Sequence, residues 1–172
     1  LEGFDVMTQI EDDYDFVVLE GDEYLSSAID RRPKFLLYKP NIALISGIAC
    51  DHVNVFPTEE SYIEQFRLFI DSITAGGILI YNQEDEILEE LVLKSQNQIR
   101  RIPYKTHPFT ISYGHTTLES DEGPIPLQIF GNPIMSNLSG ALLVCSQMGV
   151  EPVMFYEAIP SFTGAANRLE LF

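Results

Sequence analysis

Residues 41–48 (NIALISGI) and 77–81 (GILIY) are short apolar runs, and the stretch between them has the period of a helix. A run of this length without polar alternation fits a strand buried on both faces, as in a parallel sheet. Between the runs, Tyr62, Ile63, Phe66, Phe69, Ile70 and Ile73 recur at spacings of three and four, which lines one face of a helix. Pro57-Thr58 opens that helix with Thr58 as N-cap, and Glu59 and Glu60 fall in the first turn, where the helix dipole favours acids. Gly76 and Gly77 stop it. Strand, helix, strand at this spacing predicts a βαβ unit, and with it an α/β fold whose mostly parallel sheet is flanked by helices.

The rest of the chain extends this pattern. Residues 16–20 (FVVLE) are apolar up to Glu20 and predict a further buried parallel strand. Residues 84–94 (EDEILEELVLK) predict a second amphipathic helix, acids first and Lys94 last, and residues 98–102 (QIRRI) another strand. From 103 to 130, turn residues separate short alternating runs such as FTISYG and IPLQIF, which predicts a small antiparallel hairpin region. A third helix is expected over 136–148, ending at Gly149, and a fourth from Pro152 to about Ile159. No internal repeat is visible, and one domain over 1–172 is expected.

Charge narrows the function. The chain carries 26 acidic against 10 basic residues, a formal net charge of −16. Nucleic-acid and anionic membrane surfaces need clustered Lys and Arg, so neither is expected as a partner. An acidic chain that handles an anionic substrate needs a metal ion or a partner domain to balance it. Cys50 and Cys145 form no CxxC pair; that is neither a disulfide framework nor a structural zinc site, and a reducing cytoplasm is the expected location. No apolar run reaches the roughly eighteen residues of a membrane span. The N-terminus, LEGFDVMTQIEDDYD, has no basic region followed by an apolar core, so it is not read as a signal peptide. The chain starts without Met, and a piece of a longer protein is expected.

Five constellations are candidates for chemistry. Glu20-Gly21-Asp22-Glu23 follows the first apolar run, and in open α/β sheets ligands sit beyond the carboxyl ends of strands; a solvated turn is the alternative. Cys50-Asp51-His52 follows the second run, and its His can ligate a metal, act as a base or satisfy a buried hydrogen bond. If the two strand tips share an edge, Glu20 and His52 converge, with Asp22 or Asp51 nearby. A carboxylate plus an imidazole fits a divalent ion, by chemistry alone manganese or zinc more than magnesium. Arg31-Arg32-Pro33-Lys34 is either a clamp for an anion or a solvated run pairing with nearby acids, and pairing is the better reading. Gly131 to Asn137 leads into the third helix, whose N–H groups can meet an anion or an adenine edge. Gly164 to Arg168 places one Arg near the end.

Taken in order, these residues resemble the central domain of the Mur ligases, ATP-dependent enzymes that join amino acids or peptides to UDP-N-acetylmuramate precursors of peptidoglycan. The family carries a Glu at a strand tip, here Glu20 in LEGDEY, and an Asp-His pair after the next strand, here Asp51-His52. Its G-x-H-N-x-x-N motif opens a helix, here Gly131 to Asn137 with Met148-Gly149-Val150 at the helix end. Its F-x-G-x-x-x-R-x-E motif matches Phe162, Gly164, Arg168 and Glu170. The stretch EYLSSAIDRRPKFLLYKPNIAL is similar to the branch that attaches a murein tripeptide, with the L-alanine-adding branch next.

The resemblance implies an ATP-dependent ligase that forms an acyl phosphate on UDP-N-acetylmuramate and passes the acyl group to a murein peptide or L-alanine. Glu20 and His52 would hold magnesium ions and act in catalysis, Asn137 would contact adenine, and Arg168 the nucleotide. The chain departs from the family in several places, among them Asn54 where an Asp is common after the Asp-His pair. No G-K-T/S phosphate loop occurs in the sequence, so the later part of a P-loop-type central domain is expected, inactive by itself. Pro133 and Ile134 replace His-Asn in the helix-opening motif, and Arg67 stands where several branches carry a carbamylated Lys. The alternative reading is an acidic, non-catalytic module that binds divalent ions or a partner.

Overall fold

A computed structural model describes residues 13–49 and 56–164. The predicted βαβ unit is its centre. β1 (Ile42–Ile45) runs parallel to β2 (Ile78–Asn82), with Ile42 beside Ile78 and Ile45 beside Tyr81. The chain crosses between them through α1 (Glu59–Ser72). A second crossover, α2 (Glu86–Lys94), leads to β3 (Arg100–Tyr104), which pairs in parallel with the other edge of β2. The order β1-β2-β3 puts β2 in the middle.

Residues side by side in a parallel register share a face of the sheet. Ala43 with Leu79 and Ile45 with Tyr81 therefore point together, and they pack against Tyr62, Phe66 and Ile70 of α1 and Leu88 and Val92 of α2. Both helices are held at their starts. Thr58 accepts a hydrogen bond from the Ser61 N–H while the Ser61 hydroxyl accepts one from the Thr58 N–H, a reciprocal cap. Asp85 accepts from the Leu88 N–H at the head of α2.

The opposite face meets α3 (Asn132–Gln147), which passes close to the sheet at Gly140. A Cβ there would stand 2.8 Å from the Leu44 side chain and 3.2 Å from the Tyr104 ring. On its far side α3 covers a separate antiparallel sheet of β4 (Phe109–Ser112), β5 (His115–Ser120) and β6 (Gly123–Leu127). Met135 and Leu138 of α3 pack there with Leu118, Leu127 and Ile129. Phe155 and Tyr156 of α4 (Pro152–Ala158) close that cluster. The expected antiparallel region near 103–130 is thus a three-stranded sheet, and one helix joins it to the parallel sheet.

Two expectations need correction. The third helix starts at Asn132, four residues before the predicted 136. Pro133 sits in its first turn, where a fixed φ suits the helix and the missing N–H costs nothing. Residues 16–20 do not form the predicted buried strand. Phe16, Val17 and Leu19 are half-exposed and Val18 is 78% exposed. An apolar run becomes a strand only where an edge supplies hydrogen bonds and layers cover both faces. Among the described residues this run has neither, because the free edge of β1 is left unpaired. The chain after it is engaged elsewhere: Phe35 stacks on Phe66 and Phe69 of α1, at 5.5 and 5.0 Å between ring centroids.

Gly77 marks the tightest point of the βαβ unit. A Cβ there would meet the Thr74 carbonyl at 2.7 Å, the Asn41 carbonyl at 2.8 Å and Ile73 at 2.9 Å. Two of these neighbours are backbone and cannot turn away. Gly77→Ala should therefore destabilise by about 2 kcal/mol, as overpacking does. In thermal unfolding that is a fall of roughly 4–8 °C for a chain of this size; an unchanged midpoint would contradict this packing.

Candidate functional site

β1 and β2 end side by side, and the loops that leave them border a cleft of about 590 Å³. Ser46 to Ala49 line it after β1, Asn82 at the end of β2 with Asp85 after it, and Thr106 after β3. The opposite wall is the start of α3, with Asn132, Pro133, Ser136 and Asn137. This is the carboxyl edge of a parallel sheet, where loops from several strands meet and ligands of α/β proteins bind.

The loops are tied to one another by a short chain of hydrogen bonds. The Asn82 side-chain amide donates to the Ser46 carbonyl at 3.2 Å. The Asp85 carboxylate accepts from the Ile48 N–H at 2.6 Å and from the Leu88 N–H at 2.9 Å. The Glu84 carboxylate accepts from the Thr106 hydroxyl at 2.6 Å and the Thr106 N–H at 2.9 Å. Those two bonds favour the ionised form, so Glu84 is held below the usual carboxylate range. Beneath α3, burial pushes the Tyr104 hydroxyl up, and the Ser136 hydroxyl beside it pulls the other way. Among the described residues neither hydroxyl has a hydrogen-bond partner in good geometry.

The cleft is polar and has few charges of its own to spend. Asp85 commits both carboxylate oxygens to backbone N–H groups. The start of α3 is a poor anion cradle. Pro133 has no N–H, and the Ile134 and Met135 N–H groups both turn back to the Gly131 carbonyl, at 3.1 Å each. What remains on the α3 wall is amide and hydroxyl: Asn132, Ser136 and Asn137. Neutral donors and acceptors of this kind suit the edge of a heterocyclic base better than a phosphate.

A profile of the Mur ligase middle domain matches residues 4–145. The chain belongs to the Mur ligase family. Among curated relatives, a UDP-N-acetylmuramate–L-alanine ligase of Caldicellulosiruptor bescii is 29% identical over 168 residues, covering 91% of this chain and 35% of that protein. The UDP-N-acetylmuramate–L-alanyl-gamma-D-glutamyl-meso-2,6-diaminoheptandioate ligase of Escherichia coli K12 is 25% identical over 165 residues, covering 91% of this chain and 36% of that protein. The chain spans about a third of the length of these relatives. A solved structure, the UDP-N-acetylmuramate:L-alanyl-gamma-D-glutamyl-meso-diaminopimelate ligase from Neisseria meningitides, matches with a TM-score of 0.71 at 19% identity, over 86% of this chain and 48% of that one. That likeness shows a common fold.

Of the Mur ligase residues expected from the sequence, the structure puts Asn137 on the cleft wall, one turn into α3. Glu20 does not line the cleft; it lies on the exposed segment that fails to form a strand, and its carbonyl accepts from the Tyr38 hydroxyl at 3.4 Å. His52, with Cys50 and Asp51, and Arg168 lie outside the described residues. Among the described residues no group of three or more His, Cys, Asp and Glu side chains gathers. Glu20 alone does not make a magnesium site, so the described residues by themselves do not fit the ion. Asp22, another acid of that stretch, is spent on a turn: it accepts from the Tyr24 N–H at 2.9 Å and pairs with Lys34 at 2.9 Å. The basic run pairs with nearby acids as expected, Arg32 with Asp30 at 2.7 Å. Arg67, at the carbamyl-lysine position, bridges Glu64 and Asp71 on α1 at 2.6 and 2.7 Å.

Asn82, Asp85 and Thr106 are not apparent as site residues in the sequence, whereas Ser136 lies within the Gly131–Asn137 stretch. Asp85 carries one signal, its place three residues before Leu88, the spacing of an N-cap. The others reach the cleft only because three strand ends and one helix converge. The Glu84–Thr106 link gives a pH test. A carboxylate depressed on folding adds stability that is complete above its unfolded value, ordinarily 4.5, and fades as pH falls through the folded value. Glu84→Gln should flatten this part of the acid limb of a stability–pH curve; an unaltered limb would show that the link contributes nothing.

Proposed function

We propose that this domain holds the nucleotide of a Mur ligase, with adenine in the cleft at the start of α3. The observation that carries the reading is Asn137, the residue matching the family's adenine contact, on the wall of that cleft. Its amide offers two donors and an acceptor, which suits the donor and acceptor edge of adenine. The uncharged α3 wall and the tied-up N–H groups of α3 support a base there, with the phosphates elsewhere. A loop of the G-K-T/S type, which cradles phosphates with backbone N–H groups and a Lys, does not occur in this sequence. The 172-residue chain is accordingly proposed to have no ligase turnover by itself.

In the whole protein the proposed reaction is amide-bond formation on UDP-N-acetylmuramate, in peptidoglycan synthesis or recycling. The muramate carboxylate attacks the γ-phosphorus of ATP, giving an acyl phosphate and ADP. The amine nitrogen then attacks the acyl carbon, phosphate leaves, and the nitrogen gives up its proton. Glu20 and His52 are proposed as magnesium ligands and Arg168 as a nucleotide contact, on the family resemblance of their motifs. The proposed amine is the murein tripeptide, on the resemblance of residues 23–44 to that branch.

Steady-state kinetics of the full-length protein tests these roles. Asn137→Ala should raise the KM for ATP roughly tenfold with kcat nearly kept, as loss of a binding contact does. An unchanged KM would move adenine out of the cleft. In the same assay Glu20→Ala and His52→Ala should lower kcat by roughly a hundredfold or more; wild-type turnover in either would remove it from the metal site. With UDP-N-acetylmuramate as co-substrate, the tripeptide should show the higher kcat/KM. A higher value for L-alanine would move the protein to the alanine-adding branch.

A further inference from the structure

We propose that Asp85 is a positioning residue whose carboxylate fixes the loop after β1 as a wall of the cleft. This inference rests on the nucleotide reading of that cleft.

An N-cap needs one oxygen. Ser, Thr, Asn and Asp serve there about equally, because each places a single acceptor on an N–H of the first turn. Asp85 Oδ1 does this, receiving the Leu88 N–H at 2.9 Å. The second oxygen does something a cap does not require. Oδ2 receives the Ile48 N–H at 2.6 Å, across 37 residues of sequence, from a loop that belongs to another strand. This is the shorter of the two bonds.

The surroundings favour that second bond. β1 and β2 are in register at Ile45 and Tyr81, so their exits lie next to each other. Asn82, at the end of β2, takes hold of the Ser46 carbonyl at 3.2 Å. Asp85, three residues on, takes hold of the Ile48 N–H. The loop is thus gripped at two points, one donor and one acceptor. Gly47 lies between them. A Cβ at Gly47 would stand 3.2 Å from Asp85 Oδ2, so the bare glycine leaves the carboxylate room to approach. Ser46 to Ala49 all line the cleft, and in the sequence Asp51 and His52 follow within four residues of Ile48.

Two variants of the full-length protein separate a loop clamp from a helix cap. Asp85→Thr keeps one oxygen for the Leu88 N–H and has none for Ile48. Gly47→Ala leaves α2 untouched and crowds Oδ2. In both, amide hydrogen exchange at residues 46–49 should speed up roughly tenfold or more while α2 stays protected, as in selective local opening. The melting midpoint should stay within about 2 °C of wild type. The kcat/KM for ATP should fall roughly tenfold, as for a misplaced binding wall. Unchanged exchange at 46–49 overturns the proposal. So does exchange rising in α2 and the loop together with a lower midpoint, which marks Asp85 as a cap alone. Faster exchange at 46–49 with wild-type kcat/KM overturns the positioning role. Wild-type protein without ligase turnover would sink the nucleotide reading, and the exchange data would still decide whether the clamp exists.

Discussion

β2 is the strand on which the rest of the molecule depends. It is hydrogen-bonded on both edges, and Leu79 and Ile80, on its opposite faces, are fully buried. A one-residue slip would exchange those two faces and undo the fit of each against its own helix layer. Its fixed register fixes the ends of β1 and β3, and those ends carry the loops of the cleft. α3 is held against the face of the sheet opposite α1 and α2 through the near contact of Gly140 with Leu44 and Tyr104. Both walls of the cleft are therefore referred to one buried strand, and the polar ties Asn82–Ser46, Asp85–Ile48 and Glu84–Thr106 lie on a rigid base.

The chemistry of the cleft follows from what those ties use up. Charged groups close to it are engaged with backbone or hydroxyl donors, Asp85 with Ile48 and Leu88, Glu84 with Thr106. The first turn of α3 has lost donors to Pro133 and to the Gly131 carbonyl. An uncharged α3 wall of Asn132, Ser136 and Asn137 is left, in a chain with a net charge of −16. Such a surface favours recognition by shape and hydrogen bonding over attraction of a polyanion. The family's motif places Asn137 on that surface, and the packing of α3 places it in the cleft.

Much of the frame was legible in the sequence because it rests on local rules. Apolar runs at 41–48 and 77–81, the three-four spacing from Tyr62 to Ile73 and the Thr58 cap each specify their element without help from distant residues. The Pro133 start of α3 was legible too, but the predicted boundary at 136 gave the first-turn preference of proline too little weight. The run at 16–20 shows where local reading fails: FVVLE has the composition of a buried strand, yet burial is a property of neighbours. The site was legible only in part. Glu20 and His52 are read from their places after apolar runs, and their roles, with those of Asn137 and Arg168, come from motif resemblance; of the four, Asn137 is seen in the cleft. Asn82 and Thr106 carry no sequence signal, because their roles arise when separate strand ends meet, whereas Ser136 falls within the Gly131–Asn137 stretch.

The most direct test of this account is a crystal structure of the full-length protein with a non-hydrolysable ATP analogue. The account predicts the adenine ring between the start of α3 and the loops after β1 and β3, within hydrogen-bonding distance of the Asn137 side chain, and the phosphates outside the turn at Gly131 to Ile134. Adenine bound away from Asn137, or phosphates seated on the first turn of α3, would contradict it.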